Sequence, residues 1–248
     1  VDKVPDSHPQ SNLFVSPDEF RRQMEFLSRN RFTVVSLEDI RAGLSGEKSL
    51  PSRCTAITFD DGFEDNYRHA FPIIREYGYP ATIFMIGGKI RREGNNFSSE
   101  DSDLYLSLPQ MKEMIKAGIT IGSHGMTHRR LAAIPPEEAR SEIVESRNKL
   151  EQLLECPIKW FCYPFGSFNK RIVTYVCEAG YQGALSVIRD NRVKGGHLYF
   201  LPRVMVMPGI SMLHFRYYFS NFYHYLHRIK NRKRWDSHIK RINEEVNG

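Results

Sequence analysis

The sequence predicts an α/β fold: a closed or nearly closed barrel of about seven parallel strands, followed by a helical tail. Three observations carry this reading. Short apolar runs alternate with amphipathic stretches of helical period, as parallel strands joined by crossover helices require. The 248 residues, 41% hydrophobic and 12% aromatic, suffice to bury one full core. Polar groups able to do chemistry fall directly behind the strand-like runs: Asp60 and Asp61 after "AITF", His124 after "ITIGS", and Tyr163 to Gly166 after "KWFC". In parallel barrels the C-terminal strand ends form one rim, so these separate segments are expected to meet there.

Each element has a local reason. Ser16-Pro17-Asp18-Glu19 reads as a capping box with proline at the first helical position, opening an amphipathic helix through Phe20, Met24 and Leu27. "FTVVSL" follows as a strand, and a Gly/Lys/Ser loop from Gly43 to Ser52 leads into the apolar run ending at Asp60. A helix is expected near Asn66 to Glu76, then "PATIFMI" as a strand. Gly87 to Ser107 is a polar loop too long for a plain connector, which makes it a candidate rim or lid. Pro109 to Ala117 reads as a helix, "GITIGSH" as a strand, Pro135 to Leu154 as a long charged helix, and "IKWFCYPFG" as a strand ending in a turn. Phe168 to Ala179 is expected to be helical, with "GALSVI" and "LYFLPRVMV" as the last strands. The barrel is assigned to residues 1–210 and a helical extension to 211–248.

Composition narrows the function classes. The formal charge of +6 is concentrated: His214 to Gly248 holds eight Lys or Arg against three acids, a net of +5, so the body carries only about +1. In the tail, Phe215, Tyr218, Phe219, Phe222, Leu226 and Ile229 recur at helical spacing, and "KNRKRW" follows. A helix packed across the barrel is the favoured reading, an interfacial helix meeting anionic lipid the second, and nucleic-acid binding a distant third. No window approaches the roughly 18 apolar residues of a membrane-spanning helix. The four cysteines form no CxxC pair and sit at no zinc-finger spacing, which argues against thiolate metal ligation; three of the four sit in or beside apolar segments, which favours small buried thiols over the alternative of a disulfide.

"SHGMTH" places His124 and His128 four residues apart, a spacing that on a helix or strand-to-helix turn lets two imidazoles face one point. Alone the pair is weak evidence, since one exposed and one capping histidine would give the same pattern. Asp61 strengthens it: two His and one carboxylate hold a divalent ion while leaving positions open for water and substrate, the arrangement of a catalytic site. Such an ion also explains the adjacent Asp60, which it would keep ionised and available as a base. An N-cap aspartate beside a solvent-facing one accounts for one of the pair but not for both following a buried strand. Gly62 permits the tight turn that both carboxylates need.

"TFDDG", "SHGMTH" and "YPFG", in this order, resemble the first three motifs of the polysaccharide deacetylases of carbohydrate esterase family 4, the NodB-homology domain. The resemblance covers about Ser16 to Met207. The opening "LFVSPDEFRRQMEFLSRNRFTVVSLEDI" is most similar to the poly-β-1,6-N-acetylglucosamine deacetylase branch. What the resemblance implies is a distorted (β/α) barrel that removes N-acetyl groups from N-acetylhexosamines of a polysaccharide or lipid-linked saccharide. A place at the cell envelope or outside the cytoplasm is favoured, with a cytoplasmic one the alternative. The resemblance implies one divalent ion, zinc first among Zn, Ni, Co, Fe and Mn, held by Asp61, His124 and His128, with Asp60 as general base toward a water activated by the ion. Tyr163, Pro164, Phe165 and Gly166 match the groove-wall motif, in which the amide after the proline helps hold the oxyanion.

The chain also departs from the pattern. Where family members carry an arginine that pairs with the base, it has Phe161-Cys162-Tyr163. Arg203 in "LPRV" is the candidate substitute, against the alternative of a surface arginine at a strand end. The late Leu-x-His motif that supplies the general acid is matched only loosely by "MLHF", which makes His214 the candidate acid against the alternative of a helical surface residue. Two other functions stay open: a catalytically impaired carbohydrate-binding relative, and a deacylase of another small amide such as a lipid-linked aminosugar.

Overall fold

The computed structural model describes residues 14–91, 105–190, 192–193, 198–227 and 229. α1 (Pro17–Arg29) opens on the expected capping box: the Ser16 hydroxyl accepts from the Glu19 amide, and the Glu19 carboxylate accepts from the Ser16 amide. Phe20, Met24 and Leu27 face inward from it. β1 (Thr33–Val34) pairs in parallel with β2 (Cys54–Thr55). Six further strands form one parallel sheet in sequence order: β3 (Thr58–Phe59), β4 (Thr82–Met85), β5 (Thr120–Ser123), β6 (Trp160–Cys162), β7 (Gly183–Arg189) and β8 (Leu201–Arg203). The sheet curls into a half-barrel. Residues 54–59 act as one interrupted strand, bonded to β1 at the front and to β4 at the back, so the pair and the sheet together present seven strand positions.

The crossovers are helical. A π-helical turn at Asn66–Ala70 runs into α3 (Phe71–Glu76) between β3 and β4. α4 (Leu108–Lys116), α5 (Pro136–Leu154) and α6 (Lys170–Glu178) follow β4, β5 and β6. Successive strand residues point to opposite faces, and the side chains sort accordingly. Ile83, Met85, Ile121, Phe161 and Ala184 pack outward into the core shared with the helices, whereas Phe84, Trp160, Cys162, Leu185 and Leu201 point into the concavity. Gly122 belongs to the inner set, since a Cβ there would lie 2.6 Å from the Phe84 ring.

α2 (Leu37–Leu44) was not expected. Ser36 and Asp39 form a second capping box, which ends the "FTVVSL" strand after two residues and starts a helix instead. Leu37, Ile40 and Leu44 of this helix cover the inner residues, and the Trp160 indole N–H donates to Glu38 at 2.9 Å. α2 therefore plugs the half-barrel.

The tail differs from one continuous helix. α7 (Met212–Tyr217) is followed by a break, and 221–227 is helical again. Ser220 causes the break: its hydroxyl donates to the Tyr217 carbonyl and accepts from the Tyr223 amide, capping the second helix. Phe215 packs on Phe26 of α1, and His224 Nδ1 lies 2.9 Å from Asp190 at the end of β7. Most of the long polar loop and the "KNRKRW" stretch lie outside the described residues. The four cysteines are all free, but only Cys162 is the buried thiol expected; Cys54 and Cys156 are partly exposed and Cys177 is exposed.

Candidate active site

Alternation along the strands puts the chemistry on the concave side. Asp60 continues the inner parity of Thr58, His124 that of Gly122, Cys162 that of Trp160, and Arg203 that of Leu201. Four strands thus deliver one polar side chain each to the rim, two residues beyond an inward-facing position.

The structure brings Arg203 to Asp60. The guanidinium makes a fork to the carboxylate, with Nη1 donating to Oδ1 at 2.7 Å and Nη2 to Oδ2 at 2.8 Å. It also donates to the Ser186 carbonyl, the Thr58 hydroxyl and the Cys162 sulfur. Burial in the cleft would by itself push Asp60 up, but the Arg203 charge and hydrogen bonds, aided by the Cys162 thiol, hold its carboxyl well below the usual carboxylate range. Burial raises the Cys162 thiol well above its ordinary value, so it stays protonated, 3.6 Å from either Asp60 oxygen.

Asp61 turns the other way. The Gly62 amide donates back to the Asp60 carbonyl at 2.9 Å, closing a γ-turn in which Asp61 has φ 69° and Gly62 φ 76°. This aims Asp61 Oδ1 at both imidazoles, 3.5 Å from His124 Nε2 and 3.2 Å from His128 Nε2. His124 Nδ1 lies 2.7 Å from the Cys162 carbonyl, which can only accept, so Nδ1 carries the proton and Nε2 presents its lone pair to Asp61. Burial lowers the pKa of both histidines, keeping them neutral. Burial, with Asp60 adding to it, raises that of Asp61.

Three lone-pair donors therefore crowd together, and Asp61 Oδ1 is buried with no hydrogen-bond partner. A divalent cation held at this point would resolve this. A tetrahedral ion with bonds of about 2.0–2.1 Å sets its ligand atoms roughly 3.3 Å apart, close to the spacing observed, and one carboxylate with two imidazoles is a zinc-type donor set. The four-residue His spacing is achieved on a loop rather than a helix, with His128 at φ 62°. Of the five non-glycine residues at positive φ among those described, Asp61, His128 and Phe165 lie here, where strain is held in place by the surrounding contacts.

Phe165 is half exposed at φ 56°, its ring 4.4 Å from that of His128, and the Arg130 guanidinium sits 4.3 Å from its centroid. Pro164 beneath it is buried. Gly166 is pressed against Val187, where a Cβ would come within 2.1 Å of a side-chain methyl. Tyr163 does not line the groove: it is fully buried, stacked on Phe168, and its hydroxyl donates to the Tyr199 carbonyl at 2.7 Å. It shares the outward parity of Phe161, two residues before it, and so packs into the core between sheet and helices.

His214 is likewise not brought to the site. It is exposed on α7 with its ring against Tyr217 and Tyr218, and among the described residues no hydrogen bond or ion pair links it to Asp60, Asp61, His124 or His128. The sequence reading missed Cys162 and Thr58 as neighbours of the carboxylate, although their even spacing from Trp160 and Asp60 was a usable signal. The described end of the long loop reaches the site through Leu106, whose amide donates to the Gly62 carbonyl.

Known proteins share this sequence pattern and this fold. The sequence pattern of the polysaccharide deacetylase family matches residues 47–184. YxkH of Bacillus subtilis, named for the same family, is 31% identical over 201 residues, covering 81% of this chain and 68% of that protein. The poly-β-1,6-N-acetyl-D-glucosamine N-deacetylase of Staphylococcus aureus is 26% identical over 205 residues, covering 79% and 68%. Among solved structures, the deacetylase PplD of Streptococcus pyogenes superposes with a TM-score of 0.77 at 24% identity, over 89% of this chain and 94% of that one, which shows a shared fold.

Proposed function

Because this chain belongs to the polysaccharide deacetylase family, we propose that it is a metal-dependent hydrolase removing N-acetyl groups from N-acetylhexosamine residues of a polysaccharide or lipid-linked saccharide. The observation that carries this reading is the convergence of Asp61, His124 and His128 on one point beside the Arg203-paired Asp60. Asp61, His124 and His128 would hold a divalent cation, zinc by the character of the donor set, which would supply Lewis-acid polarisation of the acyl carbonyl and acidify water.

The chain's own groups do the rest. Asp60 stays ionised because Arg203 spans both its oxygens, and since the Cys162 thiol has a single proton to donate, one oxygen keeps a lone pair able to take a proton from water. A carboxylate held this far down is a weak base, so the water it serves must itself be acidified. The Phe165 amide is the donor we assign to the developing oxyanion, on a turn fixed by Gly166 N–H to Tyr163 O at 2.8 Å. Phe165 and the Arg130 guanidinium stacked on it offer a wall for a sugar ring.

The test is acetate release from N-acetylglucosamine oligomers by zinc-loaded protein, wild type against Asp60→Asn. Release lost in the variant and on chelation supports the reading; equal rates in both proteins refute it. The exposed position of His214 favours one alternative, a carbohydrate-binding relative without turnover, and the same assay separates the two: oligomer binding without acetate release is its signature.

A second observation bears on where the protein works. Leu213, Phe222, Tyr225 and Ile229 are all exposed, the last three on one helix face, and the basic stretch follows them in the sequence. Interfacial contact with anionic lipid fits that combination. Co-sedimentation with phosphatidylglycerol vesicles, lost in Phe222→Glu, checks it; sedimentation unaffected by that change counts against it. Among the described residues no helix is long and apolar enough to cross a membrane.

A further inference from the structure

Between the two histidine ligands lies a loop whose shape is dictated from outside the site. Glu142, on the inner face of α5, is buried. Its Oε2 accepts from two consecutive backbone amides, Met126 N at 2.9 Å and Thr127 N at 2.8 Å, and its Oε1 accepts from the Thr127 hydroxyl. Consecutive N–H groups aimed at one anionic oxygen form a concave nest, which the backbone makes only in a tight bend. The carbonyls of the bend are held as well, Gly125 O by the Gly87 amide at 2.9 Å and Met126 O by the Gly88 amide at 2.7 Å. There is no slack in this socket: a Cβ on Gly88 would lie 2.5 Å from Met126 O, and one on Gly125 would lie 3.3 Å from Glu142 Oε2.

One turn further along α5, Ser146 bonds Ser123 at the end of β5, with 2.7 Å between the hydroxyls. The same helix face therefore fixes both the strand that carries His124 and the loop that carries His128. His128, at φ 62°, does not adopt its backbone conformation by preference.

We propose that Glu142 is the positioning residue of the metal centre: its carboxylate holds the 125–128 bend so that His128 Nε2 falls beside Asp61 Oδ1 before any ion arrives. This rests on the reading that Asp61, His124 and His128 bind a divalent cation. Glu142 touches neither ion nor substrate and acts through His128. Without its carboxylate, binding an ion must also order the bend, and affinity falls by the amount usual for loss of an outer-shell partner, about 10- to 100-fold.

The experiment is zinc affinity of the metal-free full chain, measured by competition with a chromophoric chelator, with no enzymatic readout. Glu142→Ala is expected to weaken zinc about 10- to 100-fold and to speed amide exchange at Met126 and Thr127. Glu142→Gln, whose amide oxygen can still accept from both N–H groups, is expected to retain most of the affinity, whereas Glu142→Met, which keeps the bulk but accepts no hydrogen bond, is expected to weaken zinc as Glu142→Ala does; a merely space-filling role would leave the methionine variant at wild-type affinity. Thr127→Ala removes one of the three hydrogen bonds at an exposed residue; it is expected to weaken zinc a few-fold and stands in should Glu142→Ala fail to fold. Wild-type affinity in folded Glu142→Ala or Glu142→Met protein, or in Thr127→Ala should neither of these fold, overturns the proposal while leaving the metal reading intact. A wild type that takes up no zinc overturns both.

Discussion

Replacing Arg203 by methionine keeps the stem and removes the fork, leaving Asp60 in the cleft with no cation opposite it. In the folded protein the guanidinium makes five contacts, two of them charge-assisted bonds to Asp60. Breaking a buried ion pair by removing one partner costs about 3–5 kcal/mol. Asp60 keeps 33% of its side-chain surface open, so the lower end applies, about 3 kcal/mol at neutral pH or a fall in Tm of roughly 6–12 °C.

The pH dependence is the sharper check. In the wild type the folded-state pKa of Asp60 lies below its unfolded value, so its stabilisation is fully present above about pH 4 and is lost as pH falls through the lower folded value. In the variant, burial and the Asp61 charge raise the folded-state pKa instead, a penalty that is relieved as pH falls. The stability gap between the two proteins should therefore be widest near pH 7 and narrow in acid, and the acid limb of acetate release should move to higher pH. Arg203→Lys keeps the charge but cannot span both oxygens, and should fall between. Denaturant titrations at pH 4 and pH 7 decide it: an equal gap at both values, or an unmoved acid limb, refutes the claim that Arg203 governs the charge on Asp60.

Two further outcomes follow from the same geometry. Asp61→Asn removes a buried charge that has no hydrogen-bond partner at Oδ1, so in chelator the variant should melt at or above the wild-type temperature, while losing the gain of about 2.7 kcal/mol that zinc at a hundredfold its Kd gives the wild type; calorimetry with and without zinc measures both. Gly62→Ala places a methyl 2.2 Å from the Met85 sulfur at φ 76°, and should cost about 2–4 kcal/mol in a denaturant titration and weaken zinc binding by shifting Asp61.

Much was legible in the sequence because it is written in local terms. The capping box at Ser16, the crossover rhythm and the polar residues behind the strand runs depend on neighbours within a few positions, and each recurs in the structure. Where two local signals competed, the reading erred: Ser36 and Asp39 cap α2 inside a run that looked like strand, and Ser220 breaks a helix whose apolar period continues past it.

The sequence alone determined which residue types sit at the strand ends, and hence that two carboxylates and two imidazoles were candidates to share a rim. Only the tertiary structure decided which of them meet. Arg203 reaches Asp60 across 143 residues, Tyr163 turns into the core while Phe165 turns out, and His214 stays on the surface of α7. The physical reason is range: caps and periodicity act between near neighbours, whereas the pairing of charges and the direction of a side chain at a tight turn are set by the curl of the sheet and by what the next strand places opposite.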